Sequence, residues 1–179
     1  GGIGILINNA GIQHVAPVAD FPIDKWDDVL AINLSAVFHA SAAAAVHMAA
    51  AGWGRIINIS SVHGLVASPY KSAYVAAKHG VIGLTKTMAL EHARGAITVN
   101  AICPGWVRTP LVEQQIVARA KVSARSLDEE ASMLIADKMP SGTFTKAEDV
   151  AAAVQFLCGP ASASITGTSL IMDGGWTAQ

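Results

Sequence analysis

The chain has 179 residues, 52% of them hydrophobic, with 12 basic against 13 acidic side chains and a formal net charge of -1. This length and apolar fraction suit one domain with a sizeable core. Near-zero charge without a Lys/Arg cluster argues against a nucleic acid or an acidic membrane surface as partner.

Ile3 to Asn8 is an unalternated apolar run of strand length that enters a turn at Asn9-Ala10-Gly11, as suits a strand buried on both faces of a parallel sheet. Asp24 is expected to open a helix, with Asp27 as a capping-box-like partner, and Gly52 to end it. Within it, the Ala-rich run 40–51 is interrupted by Ser41 and His47, so it reads as a closely packed helix and not as a membrane span. Arg55 to Ser60 is a second strand. From about Ser72 to Arg94 a long helix carries Ala73, Ala76, Ala77, Gly80 and Gly83, the mark of a close-packed face. Ile97 to Cys103 is a third strand, stopped by Pro104-Gly105.

The polar stretch 109–142 reads as two helices inserted between sheet elements. Thr145 and Glu148 are expected to form a T-x-x-E capping box for a helix reaching Cys158, and Ser169 to Met172 is a last strand before Asp173-Gly174-Gly175. Strands alternating with helices give right-handed βαβ units, hence an α/β fold with a Rossmann-type doubly wound parallel sheet. The chain is expected to be a single domain, 1–179, with 109–142 an insertion in it.

The fold is expected to be incomplete. The chain opens at Gly1, and the glycines of Gly1-Gly2-Ile3-Gly4 precede a strand, whereas a phosphate loop must follow a strand and open a helix. Only the C-terminal two-thirds is expected here, the first βαβ units and Gly-rich loop (on the order of 80 residues) being absent. The first strand would then leave a sheet edge open.

Cys103 and Cys158 are the only cysteines and form no CxxC pair. Each is expected to be a small buried hydrophobe in a reducing, cytoplasmic setting. His39 and His47 are two turns apart, too far to share an ion, and no residue set reads as a metal site.

Tyr74-Val-Ala-Ala-Lys78 carries the chemistry. Residues four apart share a helix face, so both side chains can reach one point in a cleft. A phenol titrates near ~10, and a nearby ammonium favours the phenolate. Tyr74 can therefore be a general acid for ketone reduction and a base for alcohol oxidation. Alone the pattern is weak, because i,i+4 pairs are common on helix surfaces. Tyr70 has no Lys at that offset and reads as a loop or helix-start aromatic. Around the pair, Ser60-Ser61, Asn8-Asn9-Ala10-Gly11 and Pro104-Gly105 all end strands at the carboxyl edge of the sheet, where ligands of open α/β folds bind.

With N-N-A-G, the helix Asn33, the strand-end serine, Y-x-x-x-K and the P-G turn in order, the sequence resembles the short-chain dehydrogenase/reductase family over essentially its whole length. The resemblance implies a catalytic set of Asn33, Ser61, Tyr74 and Lys78. Ser61, rather than Ser60, would hold the substrate oxygen against Tyr74. Lys78 would lower the Tyr74 pKa and bind the nicotinamide ribose, and Asn33 would fix a water linking Lys78 to solvent. It places Asn9, Ala10, Gly11, Tyr74, Lys78, Pro104, Gly105, Val107 and Thr109 around the cofactor, and it implies a homotetramer, for which the small-residue faces at 40–51 and 73–83 are suitable contacts.

A second tier of residues bears on substrate. Gln13 and His14 follow the N-A-G turn, His63 follows Ser61, and Lys71 stands three before Tyr74, on nearly the same helix face. Trp106, Gln115 and Trp176 complete the set. A cation with amide and imidazole donors beside a ketone-reducing Tyr suggests a carboxylate anchor for a small hydroxy or keto substrate. The stretches Gly11 to Pro17, Ser61 to Gly64, Cys103 to Trp106 and Asp173 to Trp176 resemble the branch of the family that interconverts (R)-3-hydroxybutyrate and acetoacetate with NAD. That resemblance implies Gln13, His63, Lys71 and Gln115 on the carboxylate, Trp106 and Trp176 closing the pocket, and 109–142 as a lid. NAD rests on the resemblance alone. Gly4, where the family commonly has Asp, and Arg108, where it has an apolar residue, depart from the pattern. Relatives hold a divalent ion at the C-terminal carboxylate, here Gln179. Two other readings stand beside this one: a different short-chain reductase, and a non-catalytic truncated relic.

Overall fold

The computed structural model describes residues 2–178, so the expectation placed on Gln179 lies outside the described residues. In chain order the elements are β1 (Ile5–Asn8), α1 (Ile23–Leu30), α2 (Ala36–Ala51), β2 (Gly54–Ile59), α3 (Ser72–Glu91), β3 (Ile97–Pro104), α4 (Pro110–Ser123), α5 (Leu127–Ala136), α6 (Ala147–Cys158) and β4 (Ser169–Met172). A π-helical turn, Ala31–Ser35, joins α1 to α2. The four strands form one parallel sheet in the order β1-β2-β3-β4.

Helices lie on both faces. Ala44, Ala45 and Met48 of α2 and Met88 and Ala89 of α3 pack on Ile56, Ile97 and Val99. Leu157 of α6 packs on Ile57 and Ile102, one residue after Ile56 and three after Val99, and therefore on the opposite face. All eight residues of β3 are buried, Thr98 and Asn100 among them, as suits a central strand covered on both faces. At β1, Leu6 is covered by the first cluster, while Ile5 and Ile7 are 44% and 47% exposed on the α6 face.

Several local expectations need correcting. Ile23 to Ala51 is a continuous helical run, by length and composition apolar enough to cross a membrane despite Ser41 and His47. Within it, Asn33, Ser41 and Met48 are fully buried against the rest of the fold, while Phe38 and Val46 are exposed. Gly52 caps it at φ 68°, the left-handed conformation that favours glycine. Asp24 does not cap α1. Pro22 occupies the N-cap, and Asp24 sits in the first turn, where its charge suits the helix dipole. Thr145 does not cap α6 either. Its hydroxyl donates to the Met172 carbonyl at 2.9 Å and its N–H to the Trp106 carbonyl, so tertiary bonds take the capping groups and Lys146 becomes the N-cap. The capping box that forms is Ser126 with Glu129, at the start of α5. Cys103 is buried as expected, but Cys158 is only half-buried, on the wall of the cleft described next.

Candidate active site

The carboxyl ends of β1, β2 and β3 open into a cleft of about 1040 Å³. Lys78 forms its floor. The side chain is 4% exposed, its Nζ donates to the Ile59 carbonyl at 2.8 Å, and the Lys78 carbonyl accepts from Ser60 Oγ at 3.1 Å. α3 is thereby tied to the end of β2, and Gly64 lets the chain pass: a Cβ there would come within 2.8 Å of the Lys78 carbonyl. Ser60 and Ser61 both line the cleft, but the Ser60 hydroxyl is committed to the Lys78 carbonyl.

Tyr74 stands one turn before Lys78 on the same helix face, and the ammonium lies 5.6 Å from its ring centroid. Burial pushes the Tyr74 phenol above its ordinary value, and the hydrogen bond with Ser61 offsets part of that rise. The expected lowering by Lys78 is not seen. Lys78 points to Ile59, and burial holds its own pKa down to about 8.

Asn33 lies behind the cleft and does not line it. Its Oδ1 accepts from the Ile12 N–H at 2.9 Å and its Nδ2 donates to the Ile12 carbonyl at 2.8 Å. One donor and one acceptor of the amide are thus used on the residue that follows the N-N-A-G turn, and its second N–H and second lone pair remain for the expected water. The π-turn that carries it departs from the regular ladder, as such turns often do at functional sites. Gly11 sits between Asn33 and Lys78: a Cβ there would lie 3.6 Å from Asn33 Oδ1 and 4.0 Å from Lys78 Nζ.

Towards Trp106 and Trp176 Lys71 is 8% exposed, with no carboxylate beside it among the described residues. It is the N-cap of α3 rather than a residue of its face, with φ -122°. Nζ donates to Gln115 Oε1 at 3.2 Å and lies 4.5 Å over the Trp106 ring. Burial, and then Arg119, lower its pKa to about 8. Trp106 and Trp176 lie 5.9 Å apart, tilted by 31°. Trp176 is set by Asp173, whose carboxylate accepts from Gly175 N–H and from the Thr177 N–H and hydroxyl. Burial pushes the Asp173 carboxyl up, but those bonds outweigh it and hold it below its ordinary value.

The cleft brings together Asn9, Gly11, Gln13, Ser61, His63, Lys71, Tyr74, Lys78, Pro104, Gly105, Trp106, Val107, Thr109, Gln115 and Trp176. Ala10 and His14 do not line it. His14 packs edge-on to Phe21. Gln13 Nε2 is buried without a partner, a donor held for something in the cleft. His63 lines the wall, but its ring nitrogens face Ser61 and Ser68. Burial, then Lys71, push its pKa down to about 3, so it is neutral. Val150, Val154 and Cys158 of α6, facing Ile5 and Ile7, form an apolar wall not expected from sequence; the spacing of four between those three was the available signal.

A phenol, a hydroxyl and an ammonium converge in the cleft, together with a second cation and its amides. This arrangement can exchange a proton with a substrate oxygen while holding an anionic group.

Comparison with known proteins agrees. The family model described as enoyl-(acyl carrier protein) reductase matches residues 1–177. The chain is 52% identical over all 179 residues to the D-beta-hydroxybutyrate dehydrogenase of Rhizobium meliloti, covering 69% of that protein. Among solved structures, 4-hydroxyisoleucine dehydrogenase complexed with NADH matches with a TM-score of 0.80 at 35% identity, over 98% of this chain and 69% of that one. A short-chain dehydrogenase family protein from Francisella tularensis matches with a TM-score of 0.93 at 27% identity, over 99% and 72%. By sequence and by fold, the chain belongs to the short-chain dehydrogenase/reductase family.

Proposed function

We propose that the chain oxidises (R)-3-hydroxybutyrate to acetoacetate, and reduces it back, as an NAD-dependent dehydrogenase. The observation that carries this reading is the Lys71 ammonium, buried in the cleft three residues before Tyr74, donating to Gln115 and without a carboxylate partner among the described residues. An unpaired buried cation is costly, and a substrate carboxylate is the partner that removes the cost.

The residues fit the nicotinamide end of the cofactor. Gly11 leaves open the space a Cβ would take beside Lys78, and Lys78 Nζ has only the Ile59 carbonyl as acceptor, leaving protons for ribose hydroxyls. Asn9 and Gly11 on one side, with Pro104, Gly105, Val107 and Thr109 on the other, would flank the nicotinamide. Among the described residues no glycine-rich turn follows a strand and opens a helix, so no pyrophosphate cradle is formed by them. NAD supplies the hydride acceptor when bound.

Tyr74 takes the hydroxyl proton as the alcohol is oxidised and returns it to the ketone oxygen on reduction. Ser61 holds that oxygen against the phenol. Lys71, Gln13 and Gln115 hold the carboxylate. Trp106 and Trp176 exclude water, and α4 with α5 forms the lid that carries Gln115. Asn33 acts on the site by fixing the turn that ends in Gly11. A homotetramer in the cytoplasm belongs to the same reading; Phe38 and Val46 on α2 and Leu90 on α3 are exposed and suit subunit contacts.

Following NADH formation with (R)-3-hydroxybutyrate tests the assignment. Turnover is expected at NAD concentrations that fill the weak site, with loss of at least about 10²-fold in Tyr74→Phe at unchanged fold. Turnover of other secondary alcohols but not this acid would favour a different family substrate.

A further inference from the structure

Two neighbouring residues face opposite ways just before α3. Tyr70 is 57% exposed, whereas Lys71 is 8% exposed and reaches Gln115 in the cleft. The backbone makes the change of direction. Tyr70 has φ 67°, in the left-handed region, and Lys71 follows at φ -122° and ψ 32° as the N-cap of α3. The left-handed region crowds Cβ against the following carbonyl oxygen, so a bulky aromatic residue there is an outlier. Among the described residues only Ala124 shares it without being glycine, and Ala124 ends α4, where that conformation is ordinary. Tyr70 ends no helix. A strained residue persists where its surroundings require it, and here the surroundings belong to the cleft.

The turn is held from two sides. The Tyr70 carbonyl accepts from the Ala16 N–H at 3.0 Å, and the Lys71 carbonyl accepts from the Val75 N–H at 2.9 Å. Ala16 follows the N-N-A-G turn in the same segment as Gln13, whose buried Nε2 has no partner. One backbone hydrogen bond thus ties the loop that carries Lys71 to the loop that carries Gln13, two of the groups assigned above to the carboxylate. The other fixes Lys71 to the first turn of α3. Tyr70 is itself exposed, so it acts on this arrangement through its backbone.

We propose that Tyr70 is a positioning residue: its left-handed backbone turns Lys71 into the cleft and, through Ala16, fixes it relative to Gln13, so that the conformation at position 70 sets the preference for a substrate bearing a carboxylate. The effect on substrate choice rests on the reaction proposed above; the placement of Lys71 does not.

The test reads Lys71 directly, by ¹³Cε titration in the full chain, with its resonance assigned by loss in Lys71→Met. Burial, and then Arg119 of α4, hold Lys71 at about 8, against 10.5 for a free lysine. Lys78, also held at about 8 by burial, reports whether the cleft is intact. Tyr70→Pro sets φ near about -65° and so forbids the left-handed turn. In that variant Lys71 is expected to titrate towards 10.5 while Lys78 stays at about 8. Tyr70→Asn removes the ring but tolerates the left-handed region, and both lysines are expected to keep their parent values. In turnover, KM for (R)-3-hydroxybutyrate is expected to rise about tenfold in Tyr70→Pro with kcat little changed, and to stay at the parent value in Tyr70→Asn. Lys71 still near 8 in Tyr70→Pro, or displaced as far in Tyr70→Asn, would overturn the proposal. Should Tyr70→Pro unfold, shown by Lys78 leaving its value as well, Tyr70→Val takes its place, because a β-branched residue also resists positive φ. The lysines are read without turnover, so absence of hydroxybutyrate oxidation would count against the proposed function and leave this inference to be decided by the titration.

Discussion

Lys71 donates to Gln115 across 3.2 Å, joining the start of α3 to α4. Neither residue has an anionic partner among the described residues. α4 thus reaches the helix that carries Tyr74 through a cation short of a counter-charge.

This relationship gives the pH profile two opposing limbs. Burial holds Lys71 at about 8, against 10.5 for a free lysine, so the free protein loses its anion anchor as pH rises through 8. Tyr74 is displaced upwards and must lose its proton to act as base, so alcohol oxidation itself is favoured by rising pH. Steady-state kinetics from pH 6 to 10 should show kcat rising while KM for the carboxylate substrate climbs above pH 8. A pH-independent KM would argue against Lys71 as anchor.

Lys78 should cost stability. Its folded pKa of about 8 lies below the unfolded 10.5, so the unfolded chain binds the proton more tightly. The cost is present in full below about pH 8 and disappears as pH rises to about 10.5. Lys78→Met keeps the packing of the stem and removes the charge, but it leaves the Ile59 carbonyl without its donor. The two effects leave a net gain on the order of 1 kcal/mol at pH 7, with activity lost. Thermal unfolding at pH 7 and pH 10.5 checks this; a Tm lowered at pH 7 would contradict it.

Glu130 should hold α4 and α5 together. It is 1% exposed, and its carboxylate accepts from Ser123 Oγ at 2.6 Å, Arg119 Nε at 2.9 Å and Arg125 at 3.3 Å. The Ser123 hydroxyl and Arg119 hold its carboxyl down at about 2, against 4.5 when free. Its contribution is therefore present above about pH 4.5 and lost as pH falls towards 2. In Glu130→Gln, amide exchange in α4 and α5 at pH 7 is expected to quicken about tenfold or more, with the sheet unaffected. Unchanged exchange would show that the apolar contacts of Ile116, Ala131, Leu134 and Ile135 suffice.

NAD should bind the 179-residue chain weakly. The described residues surround the nicotinamide end but offer no glycine-rich cradle for the pyrophosphate, and Ile5 and Ile7 leave one face of β1 uncovered. Calorimetric titration is expected to give a Kd of about 1 mM or weaker. Micromolar binding would mean that other residues hold the phosphates.

Much of this was legible in the sequence, because it depends on local spacing. Tyr74 and Lys78 share a face through i,i+4 geometry, and Ser61, Gly11 and Gly105 sit where strands end. What was not legible depends on partners distant in the chain. Thr145 and Glu148 have the pattern of a capping box, but the Met172 and Trp106 carbonyls claim Thr145, while Ser126 and Glu129 form the box that exists. Asn33 was found in sequence, but its commitment to Ile12 depends on a contact 21 residues away. The upward shift of the Tyr74 phenol depends on burial in the folded cleft, which local spacing does not show. Tyr70 carries no motif, and only the folded turn shows its left-handed backbone.

The central claim is that a Tyr74-centred proton exchange is coupled to a carboxylate held at Lys71. Its most direct test compares kcat/KM for (R)-3-hydroxybutyrate with that for (R)-butan-2-ol, which lacks the carboxylate, in the parent protein and in Lys71→Met. The expected result is a preference for the acid of which Lys71 supplies about 10- to 100-fold, so that the preference shrinks by that factor in the variant. Equal kcat/KM for the two alcohols, or a preference that survives Lys71→Met undiminished, would contradict it.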